Sequence, residues 1–341
     1  MAKTYDIAVV GASSLVGEHL IELLATRYFP VGELHALEQN ADEELEVSFK
    51  GESVDVQNLA DFDFQQVQLA FFVCDDAQVA AMYAPQAAEA GCVVIDGTGC
   101  LAMDADVPLV MPTINPYALA DYTLKGMVAS PHAMTLAMLT ALKPLHDAAT
   151  VSRVNIATYQ AVADIGRAGV DELARQTAQL LNGRPVEPKL YAKQMAFNLL
   201  PQVGEFGMEG YTAEEIALVH ETQRILEDDR IQVIPTAVRV PVFFGSAAVL
   251  HVELLDTLSP AAAVQLWQDV VGIEVLDDPQ LATYATSVTE AATSDGIYIS
   301  RVREMLASPS GLNFWLVTDN VRNGAALNSV QIAELLIRDY L

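Results

Sequence analysis

The feature that most restricts how this chain can fold lies within its first twenty-four residues. Asp6-Ile7-Ala8-Val9-Val10 is a short apolar run that ends at Gly11, as a buried parallel strand does. Leu15 to Leu24 then carries apolar residues at 15, 16, 20, 21, 23 and 24, with Glu18, His19 and Glu22 between them, which is helical spacing. The turn joining the two is Gly11-Ala12-Ser13-Ser14-Leu15-Val16-Gly17. Strand expectations at Glu33–Leu37, Gln68–Val73, Cys92–Ile95 and Met127–Ala129, with an alanine-rich helix from Ala77 to Ala90, continue a β-α-β rhythm. That rhythm predicts a doubly wound parallel sheet.

In such a sheet the backbone N–H groups of the first turn and the start of the following helix cradle a pyrophosphate. Gly11, Ser13, Ser14, Leu15, Val16 and Gly17 are therefore the expected dinucleotide contacts. Ser14 stands where a middle glycine is usual, so its Cβ is expected to crowd the phosphate, although its hydroxyl offers a replacement hydrogen bond. Glu38 follows the second strand, where an acid binds ribose hydroxyls and repels a 2′-phosphate. Asp42, Glu43, Glu44 and Glu46 come next, with no basic residue before Lys50. They read either as part of that acidic surround or as a solvated loop. The pattern leaves room for NAD and disfavours NADP.

From about Ala149 the rhythm changes. Long strands are expected at Val151–Tyr159, Ile231–Val240, Ala247–Leu254, Ile297–Arg303 and Leu312–Val317, and helices at Gly169–Leu181 and Ser259–Val270. Thr212-Ala213-Glu214-Glu215 is a capping box opening a helix to Leu226. The last helix, Ala325–Ile337, is expected to rejoin the first domain. The expected division is a dinucleotide-binding domain of residues 1–130 with 320–341, and an α+β substrate and dimerisation domain of residues 131–319.

Composition narrows the function class. Hydrophobic residues make up 52% of the chain and charged ones 18%, enough for a core and too little charge for disorder. The net charge of -27 argues against nucleic acid or an anionic membrane as partner. Cys74, Cys92 and Cys100 form no C-x-x-C pair, so neither a disulfide framework nor a metal site is expected. No signal-peptide pattern and no run of eighteen apolar residues appear, and the expectation is a cytoplasmic protein.

Motifs along the whole chain resemble the aspartate-semialdehyde dehydrogenase family. They include Val94-Ile95-Asp96, Pro112-Thr113-Ile114-Asn115-Pro116, Thr158-Tyr159-Gln160-Ala161-Val162, Gly210-Tyr211-Thr212-Ala213-Glu214-Glu215, Val238-Arg239-Val240-Pro241 and Asp319-Asn320-Val321-Arg322-Asn323-Gly324. The resemblance implies a Rossmann-type domain plus a dimerisation domain, and a homodimer. It implies that Asn320 contacts the cofactor. It also implies that Gln160 orients the reacting centre, Glu214 pairs with the substrate amine and Arg239 clamps its carboxylate, so a small amino-acid-like carboxylate is the expected ligand. A structural ion pair is the competing reading of Arg239.

The family's chemistry needs a cysteine nucleophile in an N-P-N-C-S-T motif and a histidine seven residues after the arginine. Here the motif reads Ser130-Pro131-His132-Ala133-Met134-Thr135, and the histidine position is Ser246. A methyl group cannot attack a carbonyl, and losing the nucleophile removes the covalent route. The family's arginine after N-S-S-x-F matches Ala102, its lysine after Glu214 matches Ala217, and its S-G-A-G turn reads Ala163-Asp164-Ile165-Gly166. Cys100 as nucleophile, His132 as base and Ser246 are the substitutes to weigh; a core cysteine and a turn serine are the competing readings, and His132 has nothing to activate. The whole resembles the noncatalytic, Usg-type paralogues of the family. It implies either a ligand-binding homodimer or a heterodimer partner of an active paralogue. The rival expectation is an NAD(P)-dependent aldehyde oxidoreductase with altered mechanism.

Overall fold

The computed structural model describes residues 3–41, 44–207, 209–306 and 308–341. The chain divides into two compact units, Met1–His132 with Gly324–Leu341, and Ala133–Asn323. Both belong to a two-domain α/β architecture. No helix among the described residues is long and apolar enough to cross a membrane.

The first unit is built on β1 (Tyr5–Val10), α1 (Leu15–Thr26), β2 (Val31–Glu38), β3 (Glu46–Phe49), β4 (Glu52–Asn58), β5 (Leu69–Phe72), α2 (Ala77–Glu89), β6 (Val93–Asp96) and β7 (Met127–Ala129). Its seven-stranded sheet runs β3-β4-β2-β1-β5-β6-β7, parallel except for β3. β1 pairs with β2 through Val10↔Leu37 and with β5 through Val10↔Phe72, so the chain direction across the sheet reverses there. Ligands of such sheets bind outside the carboxyl ends of the strands at that reversal. Ile7, Val9, Phe71, Ile95 and Val128 from the sheet pack with Leu20 and Leu24 of α1. Val330, Ile332 and Leu336 of the C-terminal helix, Leu327–Asp339, complete the same core.

The acidic stretch after Glu38 is not simply a solvated loop. Glu46 opens β3, which forms a hairpin with β4 in the register Val47↔Val54. Lys50 and Gly51 turn it with φ of 53° and 84°, the left-handed pair of a two-residue hairpin. Asp42 and Glu43 lie outside the described residues.

The second unit contains α3 (Ala133–Ala149), β8 (Val151–Gln160), α4 (Arg167–Leu181), α5 (Ala213–Leu226), β9 (Gln232–Arg239), β10 (Ser246–Leu254), α6 (Pro260–Gln268), β11 (Ile273–Val275), β12 (Asp277–Asp278), β13 (Thr283–Tyr284), β14 (Ile297–Met305) and β15 (Ser308–Thr318). Its six-stranded sheet runs β11-β14-β15-β10-β8-β9, and β12 pairs with β13 alone. Val154, Ile156, Leu250, Val252, Ile299, Phe314 and Leu316 face α3, α5 and α6, as strands with one buried face require. Trp267 is fully buried, and its indole N–H donates to Ala141 O at 2.8 Å, tying α6 to α3. The capping box forms as expected: Thr212 Oγ1 accepts from Glu215 N–H, and the Glu215 carboxylate accepts from Thr212 N–H.

Candidate functional site

Strand register assembles the polar groups of the second unit. β8 and β9 run parallel with Gln160 opposite Arg239, so two strands end side by side on these residues. β10 runs antiparallel to β8 and begins at Ser246, beside the same end. Glu214 lies in the first turn of α5, and the Gln160 amide donates to its Oε1 at 2.8 Å. Gln160, Arg239 and Ser246 are all buried. Gln160, Glu214 and Arg239 are thus brought together, although sequence separates them by up to 79 positions.

Arg239, however, already holds a carboxylate. Its Nη1 donates to Asp164 Oδ2 at 2.6 Å and to Ala161 O at 2.6 Å. The Asp164 residue is exposed along its main chain, but its side chain is only 17% exposed and that of Arg239 only 4%. Burial pushes the Asp164 carboxyl up to about 6; Arg239 opposes the rise, Glu214 adds to it, and the Asn320 side chain hydrogen-bonds to the group. The expected carboxylate clamp is therefore, in this structure, an internal ion pair. Asp164 was legible only as a lost glycine-type turn; its charge, unusual in a turn of small residues, was the available signal.

Ala133 and Ser246, which the resemblance matches to the family's cysteine and histidine, lie in the same unit. Ala133 is the first residue of α3 and presents a methyl group. The Ser246 hydroxyl accepts from Ala161 N–H at 3.1 Å, pinning the turn after β8. Ala102 and Ala217, which the resemblance matches to an arginine and a lysine, are 2% and 6% exposed, so each is closed into its own unit's interior.

Cys100, the candidate substitute nucleophile, is a half-buried free thiol. Burial and the nearby Asp96 push its thiol up to about 12. Asp96 is anchored by Thr98 and by the N–H of Leu101, which fixes the Cys100 loop. The His132 ring packs against this loop: Gly99 has φ +82°, and a Cβ there would stand 2.6 Å from the imidazole. Cys74 is likewise pushed up to about 12 and Cys92 to about 11, mainly by burial. Iodoacetamide at pH 7.5 is accordingly expected to alkylate Cys100 about a hundred- to a thousandfold more slowly than an unperturbed thiol, since the thiolate is the reactive form. The rate should climb about tenfold per pH unit from 8 to 10. Alkylation at the ordinary thiol rate, read by mass spectrometry, would reveal an activated cysteine.

The glycine-rich turn forms where the sequence places it. Gly11 has φ +86°, and an added Cβ would come within 2.4 Å of Cys74 Cα; one on Gly17 would meet Gly11 O at 2.0 Å. Both glycines are thus required by the turn's own packing. Ser14 is buried. Its hydroxyl points into the fold, donates to Val73 O at 2.8 Å and accepts from Gly17 N–H at 2.9 Å. It caps α1, and its hydroxyl proton is taken by Val73 O. Leu15 and Val16 form the first turn of that helix. Glu38 Oε1 accepts from Ser13 N–H at 2.8 Å and from Ser13 Oγ at 2.6 Å. Asn320, expected beside the cofactor, falls in the second unit, with its Oδ1 accepting from Gly245 N–H at 3.3 Å. Its side chain belongs with Asp164.

Comparison with known proteins agrees with this architecture. Residues 6–122 match the family described as semialdehyde dehydrogenase, NAD binding domain, and residues 142–323 match semialdehyde dehydrogenase, dimerisation domain. An aspartate-semialdehyde dehydrogenase of Shewanella sp. (strain DB6705) is 46% identical over 340 residues, covering 100% of both chains. Aspartate-semialdehyde dehydrogenase 2 of Vibrio cholerae is 45% identical, again over 100% of both. A crystal structure of aspartate semialdehyde dehydrogenase II from Vibrio cholerae, complexed with ASA, superposes with a TM-score of 0.95 at 44% identity and covers 100% of both chains.

Proposed function

The chain belongs to the aspartate-semialdehyde dehydrogenase family, and from that premise we propose that it is a noncatalytic, Usg-type member without the thiol-dependent oxidation of the aldehyde. The observation that carries this is the side chain at the nucleophile position: Ala133 has no atom able to attack a carbonyl. Support comes from Ser246, whose hydroxyl is held by Ala161, and from three thiols all pushed up to about 11 or 12. On this reading the protein is a cytoplasmic homodimer, or the partner of an active paralogue, that keeps a nucleotide domain. The test is an assay of the purified protein with aspartate semialdehyde, phosphate and either nicotinamide cofactor, followed in both directions. The expected result is no turnover above blank.

A second reading, a working NAD(P)-dependent oxidoreductase with altered mechanism, is favoured by the names of relatives 45–46% identical over the full length. Turnover that disappears in Cys100→Ser would establish it.

For cofactor choice, NAD is expected to bind more tightly than NADP. The Glu38 carboxylate holds both the N–H and the hydroxyl of Ser13, the donors a 2′-phosphate there would use, and adds its own repulsion. Glu38→Arg removes the repulsion and frees both donors, so NADP affinity should rise. Calorimetric titration that finds NADP the tighter ligand of the unaltered protein would refute this assignment of Glu38.

A further inference from the structure

We propose that Asp164 acts as a built-in ligand for Arg239 and is the specificity-determining residue of this side-chain cluster, disfavouring carboxylates relative to ligands whose end facing Arg239 is uncharged or cationic. The inference rests on the reading of Arg239 as the family's carboxylate clamp, but not on whether the oxidation has been lost.

One guanidinium nitrogen of Arg239 is already taken by an internal carboxylate. The Arg239–Asp164 contact of 2.6 Å is as short as a charge-assisted hydrogen bond becomes, and both side chains are largely withdrawn from water. The same Nη1 also holds Ala161 O, whose residue is fixed from the other side by Ser246. Asn320 bonds to Asp164 as well. The arginine is therefore held in place by the turn that carries its partner, rather than presented to an incoming anion. Charge balance points the same way: with Arg239 neutralised by Asp164, Glu214 remains as an additional negative charge, and the Gln160 side chain that donates to it is a neutral amide. An external carboxylate would have to displace Asp164 and leave that carboxyl beside Glu214 without its cation. A chain of 45 acidic residues presents no general attraction for anions to offset this.

The backbone at Asp164 accommodates the change that tests the proposal, although the variant leaves the buried Arg239 without its carboxylate and so loses stability. Asp164 lies in a short turn, Val162–Ile165, and is not among the residues of left-handed backbone, so alanine fits without strain. The experiment is calorimetric titration of the full-length protein at pH 8 with succinate as the probe, for the wild type, Asp164→Ala and Asp164→Asn. Wild type should bind it weakly or not at all. Asp164→Ala should bind it roughly 10- to 100-fold more tightly, the worth of one hydrogen bond to a charged group. The gain should vanish in Asp164→Ala combined with Arg239→Met. Asp164→Asn keeps the shape without the charge and should show a smaller gain, so a folding defect in one variant leaves the other to decide. Equal succinate affinity in wild type and both variants would overturn the proposal, as would a gain that survives loss of Arg239. Because binding is read without turnover, these outcomes stand apart from those of the dehydrogenase assay.

Discussion

The double reversion Ala133→Cys with Ser246→His is expected to give at most a trace of phosphate-dependent oxidation, and each single reversion none. A thiol without its base, or a base without its thiol, does not complete a unit whose members act together. A missing general base alone is worth roughly 10²–10⁴ in rate. The structure adds a second obstacle at each remaining position. Ser246 is fully buried and its hydroxyl accepts from Ala161 N–H, so an imidazole must both overfill the site and replace that acceptor. Overpacking of this kind costs about 1–3 kcal/mol. Ala102 and Ala217 are buried, so restoring the family's arginine and lysine inserts a cation where the interior has closed. Adding Ala102→Arg and Ala217→Lys should therefore lower stability sooner than it restores phosphate binding. A double revertant with the rate of an active family member would show that only two residues separate this chain from catalysis.

Arg239→Met is expected to destabilise the protein by about 3–5 kcal/mol at pH 8, the cost of leaving one member of a buried pair without its partner. The loss should shrink towards pH 5. Asp164 has its folded-state carboxyl raised to about 6, mainly by burial, and Arg239 is what opposes a further rise. At pH 8 the variant must either keep an unpaired buried carboxylate or hold a proton against the solution. At pH 5 the carboxyl is largely neutral in wild type and variant alike, and what the variant lacks is the hydrogen bonds of Arg239 to Asp164 and to Ala161 O rather than a counter-charge. The sign for the wild type follows from the same shift. Between about pH 4 and 6 the folded protein binds this proton more tightly than the unfolded chain, so this one group favours folding more at the acid end of that window. Glu214, Tyr191 and Glu172 share the surroundings of the pair, and none of them reverses that direction. Urea unfolding of wild type, Arg239→Met and Arg239→Met/Asp164→Leu at pH 5 and 8 reads the effect. The double variant should recover most of the loss at pH 8, whereas an equal loss at both pH values would mean that Asp164 is not the group responsible.

Local patterns were readable because they are satisfied locally. The strand Asp6–Val10, the turn Gly11–Gly17 and the helix after it follow from apolar period, glycine placement and an N-cap within a dozen residues. Thr212 and Glu215 cap each other three residues apart. The hairpin β3–β4 escaped notice because four polar-rich residues are too short a window for a period of two, and its few buried positions, Val47 and Val56 among them, gain their burial only from the rest of the unit. The residue types at Ala133 and Ser246 were equally readable, because identity at a position is a fact of the sequence.

What the tertiary structure alone decided is where charge and hydrogen bonds close. Ser14 looked like an obstacle to phosphate, but which way a hydroxyl points depends on Val73 O, 59 residues distant. Ser13 and Glu38 are 25 residues apart and become partners only through the pairing of β1 with β2. Arg239 and Asp164 are 75 apart, and parallel pairing of β8 with β9 brings the turn after Gln160 to the end of the strand that carries the arginine. An arginine's own sequence neighbourhood does not record which carboxylate will reach it. Coulombic pairing depends on distance in space, and that distance is set by strand register.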